Sequence, residues 1–234
     1  AVTHAWRMIP VHDRAPDPEI ATLVKRRVDE LDKQLLVEIA TTTRPLDSRR
    51  LVVREREAAI GNLFADAIRA AVDADVALIN GGGIRGDRTY EAGARLTERD
   101  ILTELPFGNT TVLLELKGSD LLEALENGVS RVEERVGRFP QVSGVSFAYN
   151  PALPRMHRVL EAKVNGQPLD PVRIYRIATI DFLRAGGDGY ASLTRGKSVV
   201  DASGGQIMAA QVIDYLTSRK TVEPLIEGRI EVRR

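Results

Sequence analysis

The apolar run Val76-Ala77-Leu78-Ile79, closed by Asp75 on one side and Asn80 on the other, lacks the polar alternation of a half-solvated strand and reads as a buried one. A buried strand requires other elements to cover it, and the flanking pattern supplies them. Asp17-Pro18-Glu19 gives an N-cap, a first-turn proline and a first-turn acid, with Ile20, Leu23, Val24, Val28, Leu31 and Leu35 following at helical spacing. Helical periodicity also predicts helices over Ala58 to Val72, Thr97 to Glu104, Ser119 to about Glu134, and Gly205 to Thr217. Strands are expected at Val37 to Thr42, Thr111 to Leu116, Gly144 to Tyr149, Val159 to Val164, Ile174 to Ile180 and Arg229 to Val232, with Asn165-Gly166 as a hairpin turn before Leu169. The sum is an α+β fold, a mixed β-sheet flanked by helices.

Size and charge narrow the class. A chain of 234 residues with 43% hydrophobic content can bury one sizeable core. We expect one domain over residues 17–234, preceded by a tail and connector over 1–16 that holds a strand-like piece at Trp6, Met8, Ile9 and Val11. Lys plus Arg and Asp plus Glu both number 33, and no basic run is interleaved with aromatics, which argues against nucleic acid as a partner. Cysteine is absent, removing disulfides, thiolate metal sites and Cys nucleophiles. No stretch has the length of a membrane span, and the first residues do not follow the layout of a secretion signal.

Three glycine-containing segments carry the chemistry. Asn80-Gly81-Gly82-Gly83-Ile84-Arg85 follows the buried strand directly, so the backbone can turn sharply, approach a ligand with its N–H groups and present Arg85 to a phosphate. It is neither a P-loop nor a dinucleotide fingerprint, and a plain tight turn fits its spacing as well. Phe182-Leu183-Arg184-Ala185-Gly186-Gly187-Asp188-Gly189-Tyr190 again follows a strand; Phe182 offers a flat face for a base and Asp188 an acceptor for ribose hydroxyls, against the alternative of an ordinary loop with a buried Phe. Leu105-Pro106-Phe107-Gly108-Asn109 is a third such corner, where Phe107 alone would more often be core. Arg54, Arg56 and Glu57 read by default as a solvated, partly self-paired charge run. His4, His12 and His157 are scattered without metal-ligand spacing, so no complete metal site is expected here. A serine hydrolase is poorly supported, since no Gly-x-Ser-x-Gly elbow accompanies Ser143 and His157.

Taken in order, Gly61-Asn62-Leu63, Asn80 to Arg85, Leu105 to Asn109, Phe139-Pro140-Gln141-Val142-Ser143-Gly144 and Phe182 to Tyr190 resemble the C-terminal domain of the 5′-nucleotidase/UDP-sugar hydrolase family, from about residue 17 to the end. The resemblance implies that family's C-terminal domain fold and a nucleotide-binding role. Arg54 and Arg85 would contact phosphate or ribose oxygens, Asn80 would hydrogen-bond the nucleoside, Phe107 and Phe182 would sandwich the base, and Asp188 would hold the ribose hydroxyls. Gly83, Asn109, Gly186 and Gly187 are secondary candidates. The resemblance further implies two divalent metal ions in an N-terminal metallophosphoesterase domain in cis, no catalytic residue or metal ligand in this chain, and therefore no hydrolysis by this chain alone. It assigns the segment from Trp6 to Val11 to the last strand and linker of that domain, and Pro16 to Leu35 to the hinge linkage. A nucleoside monophosphate or related nucleotide is the implied partner, and a periplasmic, secreted or wall-attached location the implied compartment. Two other readings stand beside it: a binding or scaffolding domain that kept the fold without the enzyme, and a related sulfur-oxidation hydrolase, against which Phe107, Phe182 and Asp188 argue.

Overall fold

The computed structural model describes residues 3–8 and 14–233, so the expectations on Ile9, Val11 and His12 lie outside the described residues. The chain divides into two compact units, Ala1–Val37 and Glu38–Arg234. In the first, helix α1 (Pro18–Leu35) begins as expected: the Asp17 carboxylate accepts from the amides of Glu19 at 2.9 Å and Ile20 at 3.1 Å, satisfying two of the free N–H groups of the first turn.

The second unit runs β1 (Glu38–Thr42), β2 (Leu46–Asp47), α2 (Arg50–Val53), α3 (Ala59–Ala71) and β3 (Val76–Asn80), followed by a 3₁₀ turn over Gly81–Gly83. Next come β4 (Thr89–Tyr90), β5 (Arg95–Thr97), α4 (Glu98–Glu104), β6 (Thr111–Lys117), α5 (Gly118–Val129), β7 (Pro140–Ser143), β8 (Val145–Tyr149), β9 (Val159–Val164), β10 (Gln167–Pro168) and β11 (Ile174–Ile180). The chain closes with α6 (Asp181–Arg184), β12 (Lys197–Val200), α7 (Met208–Arg219), β13 (Thr221–Val222) and β14 (Ile230–Val232).

A five-stranded sheet in the order β12-β6-β11-β3-β7 forms the centre. It is mixed: β3 and β11 are parallel and every other pair is antiparallel. All five residues of β3 are buried, which for alternating side chains means that both faces of the strand are covered. Helix α3 packs on β3 and β7, and α5 on β6. Smaller sheets accompany it in the chain's topology, β10-β9-β8-β14, β13-β1-β5 and β2-β4. Phe64, Phe139, Tyr149 and Tyr190 are among the largest fully buried side chains. The architecture is the expected α+β arrangement of a mixed sheet flanked by helices.

Local departures have local causes. The helix expected to reach Glu134 stops at Val129, and a separate 3₁₀ turn covers Val132–Glu134. Ser130 terminates it, its hydroxyl donating back to the Asn127 carbonyl at 2.7 Å. Strand β7 was hidden by its opening proline, which a sheet tolerates here because β7 is an edge strand. The last helix starts at Met208 rather than Gly205, since the chain just before it pairs with the segment entering β6: Ile207 bridges Thr110, and the Gln206 carbonyl accepts from the Thr111 amide at 2.9 Å. Among the described residues no helix is long and apolar enough to cross a membrane.

Candidate functional site

Sheet topology explains why four separate loops meet. The parallel strands β3 and β11, with Val76 opposite Ile177, both end at one edge, at Asn80 and Ile180. Strands β6 and β7 run the other way and begin at that edge, Thr111 opposite Ile180 and Pro140 opposite Asn80. The turns leaving β3 and β11 and those entering β6 and β7 are therefore neighbours, in the position where open α/β sheets form their binding crevice.

A cleft of about 570 Å³ opens at this edge. Arg54, Asn80, Arg85, Phe107, Phe182 and Asp188 all line it, with Gly83 and Asn109. Gly82, a member of the glycine loop singled out in the sequence, also lines it, as does Gly137, which was not foreseen. The two touch: Gly82 donates its amide to the Gly137 carbonyl at 2.8 Å, and a Cβ on Gly82 would stand 2.8 Å from the Gly137 Cα. The signal that could have found Gly137 is its place just ahead of Phe139-Pro140. Gly186 and Gly187 are not among the lining residues. Gly187 lies under Phe182, so close that a Cβ would meet the ring carbons at 2.5 Å.

The aromatic faces are open. Phe107 is 57% and Phe182 44% exposed, in a chain whose other phenylalanines, Phe64, Phe139 and Phe147, are buried. The Arg85 guanidinium sits 5.4 Å from the Phe107 ring centroid, within cation–π range.

Arg54 corrects the reading of its segment as a solvated charge run. It is 9% exposed, Glu57 only 3%, and Arg56 alone of the three faces solvent. Two buried polar side chains cause this. Gln141 donates to the carbonyls of Val53 at 3.1 Å and Arg56 at 2.9 Å while accepting from the Ala58 amide at 3.0 Å, stitching the segment to β7. Glu57 accepts from Asn62 Nδ2 at 2.6 Å and from the Glu227 amide at 2.7 Å, tying it to the C-terminal tail. Arg54 Nε is buried without a hydrogen-bond partner. Burial, then the charges of Arg50 and Arg85, lower its hold on a proton. Such a crowded cationic group is stabilised by an arriving anion.

Asn80 donates from Nδ2 to Asp188 Oδ2 at 2.6 Å, and its Oδ1 is buried with no partner. Asp188 adopts a left-handed backbone at φ 53°, a strained conformation for a non-glycine residue. It is held there by Asn127, whose Nδ2 donates to the Asp188 carbonyl at 3.2 Å and whose Oδ1 accepts from Arg138 at 3.0 Å. The arrangement offers two open aromatic faces, paired guanidiniums, one free amide oxygen and one carboxylate.

Other candidates do not assemble. Ser143 is buried in β7, whereas His157 is exposed between β8 and β9. Among the described residues no three His, Asp or Glu side chains group as a metal site.

Residues 38–195 match the family model for the 5′-nucleotidase, C-terminal domain. The chain belongs to this family. As a 5′-nucleotidase C-terminal domain it is 34% identical over 239 residues to the trifunctional nucleotide phosphoesterase protein YfkN of Bacillus subtilis, covering 96% of this chain and 16% of that protein. It is 30% identical over 233 residues to the 5′-nucleotidase of Homo sapiens, covering 92% of this chain and 40% of that one. The crystal structure of a 5′-nucleotidase precursor from Thermus thermophilus superposes with a TM-score of 0.82 at 37% identity, over 93% of this chain and 44% of that one. A sulfate thiohydrolase, SoxB, from the same genus superposes with a TM-score of 0.70 at 20% identity, which shows a shared fold alone. The chain thus spans less than half the length of each of these relatives.

Proposed function

We propose that this domain binds a nucleoside monophosphate or related nucleotide for a metal-dependent 5′-nucleotidase and presents the phosphate ester to a metal-bearing N-terminal domain in cis. The observation that carries the reading is the pair of exposed rings, Phe107 and Phe182, in one cleft with Asn80, Asp188, Arg54 and Arg85. Stacking on aromatic side chains is worth roughly 1 to 3 kcal/mol per base and tolerates any base, so broad base use follows. Asp188 accepts from the ribose hydroxyls, the free Asn80 Oδ1 accepts from a nucleoside donor, and the two guanidiniums hold phosphate oxygens. Binding energy spent on the nucleoside in this way orients the phosphate.

The family resemblance, and not a residue of this chain, is the ground on which we assign two divalent ions to the N-terminal domain, where they would supply charge stabilisation for phosphoryl transfer. This chain alone would then bind without hydrolysing. By the same resemblance we assign the intact protein to the periplasm, the cell wall or the medium, which cell fractionation tests. For the binding role, the test is calorimetric titration of the chain with AMP, adenosine and UDP-glucose, with Phe182→Ala as control. Saturable binding that the substitution weakens supports the assignment. A folded chain that binds none of the three would overturn a self-contained nucleotide pocket.

A further inference from the structure

Glu104 is a fully buried carboxylate, 0% exposed, that the proposed binding role does not use. It ends α4 and directly precedes the Leu105-Pro106-Phe107 corner. Its Oε2 accepts from the Gly86 amide at 2.9 Å, and its Oε1 accepts from Ser48 Oγ at 2.8 Å and Tyr90 Oη at 2.9 Å. Its carbonyl accepts from the Arg85 amide at 2.9 Å. One residue therefore holds two successive amides of the loop that carries Arg85 and lies three residues before Phe107, the ring over which Arg85 sits. The fit at Gly86 is close: a Cβ there would stand 2.0 Å from the carboxylate.

We infer that Glu104 is a positioning residue whose carboxylate clamps Gly86 and thereby fixes the Arg85 guanidinium beside Phe107 for a ligand's phosphate. The inference rests on the nucleotide reading of the cleft. Glu104 reaches the ligand only through Arg85, so its loss weakens phosphate-bearing ligands selectively and leaves the nucleoside contacts of Phe182, Asn80 and Asp188 in place. The groups facing the carboxylate are the hydroxyls of Ser48 and Tyr90 and the Gly86 amide, with Arg88 acting from its own ion pair with Asp100 at 3.2 Å. Burial outweighs them and pushes Glu104 above the ordinary carboxylate range. The clamp accordingly loosens with acid earlier than an ordinary glutamate titrates.

The test titrates the full chain and its Glu104→Ala and Glu104→Gln variants with AMP and with adenosine. Losing a charge-assisted contact to phosphate predicts about a tenfold fall in AMP affinity for Glu104→Ala, with adenosine within about twofold. Glu104→Gln keeps an oxygen for the Gly86 amide but not its charge, so it recovers AMP binding only in part. Equal losses for both ligands, or no loss for either in a folded variant, overturn the inference. A ligand-free measurement stands beside it, the Gly86 amide resonance followed by NMR from about pH 8 to about pH 5. It shifts in the native chain above the ordinary glutamate range and stays flat in Glu104→Gln. A Gly86 amide resonance that keeps its native chemical shift in folded Glu104→Ala removes the clamp. If the native chain binds no AMP, the nucleotide reading falls, and the Gly86 resonance alone decides whether the carboxylate holds this loop. If Glu104→Ala does not fold, the pH profile of AMP affinity in the native chain relative to Glu104→Gln decides the same point, and parallel profiles overturn it.

Discussion

Replacing Gly187 with alanine adds one methyl group on which the base platform depends. The new Cβ would lie 2.5 to 2.6 Å from three carbons of the Phe182 ring, about 1 Å inside the ordinary separation of carbon atoms in contact. Something has to move. Gly187 has no left-handed backbone to defend, and the Phe182 ring is the free end of a side chain that is 44% exposed, so the ring swings and the backbone stays. Folding stability changes little, because the alanine restricts the unfolded chain by about 0.4 to 1 kcal/mol and offsets the displaced contact. Ligand affinity changes more. Stacking on one aromatic face is worth roughly 1 to 3 kcal/mol, so Gly187→Ala should weaken adenosine between about 5-fold and about 150-fold. Calorimetry with adenosine, paired with a thermal melt, reads both quantities. The double variant Gly187→Ala with Phe182→Ala should bind no worse than Phe182→Ala alone, because the added methyl has no ring left to displace. Adenosine affinity within twofold of the native chain, in a protein of native Tm, would refute the placement of Phe182 as a base platform resting on Gly187.

Three other substitutions probe separate terms. Asn80→Asp sets a second carboxylate 2.6 Å from Asp188 Oδ2; two such groups share a proton, so adenosine affinity should fall at least about tenfold at neutral pH and recover as pH drops, measured as a pH series of titrations. Arg54→Met removes a buried guanidinium whose Nε has no partner, so AMP affinity should fall by about tenfold or more while Tm holds or rises; a lower Tm with unchanged AMP affinity contradicts the assignment. Glu133 accepts from Arg158 at 2.8 Å, which holds its carboxyl down to about 2. A depressed acid contributes stability above its unfolded pKa and loses it as pH falls toward the folded value, so Glu133→Gln should flatten the acid side of the stability profile between about pH 4.5 and about pH 2. Because its side chain is 48% exposed the effect is small, and an unchanged profile in a denaturant series would discount the pair.

Sequence by itself determined the elements whose cause is local. The apolar run at Val76 to Ile79 marked β3, Asp17 and Pro18 set the start of α1, and Asn165-Gly166 marked the β9–β10 turn, where both residues adopt positive φ. Motif order also gave the candidate residues, because glycine and aromatic clusters stay recognisable whatever surrounds them. Tertiary structure decided the rest. Arg54 and Glu57 looked solvated because their burial is caused by Gln141, Asn62 and the tail at Glu227, partners up to 170 residues distant in the chain. Whether Phe107 and Phe182 were core or platform depended on packing, and a ring's exposure is a property of what fails to cover it. The Glu104 clamp was invisible for the same reason: Gly86 lies 18 residues from Glu104. The cleft itself exists because β3 and β11 run parallel while β6 and β7 oppose them, and strand direction within a sheet is settled only when the whole chain closes on its core.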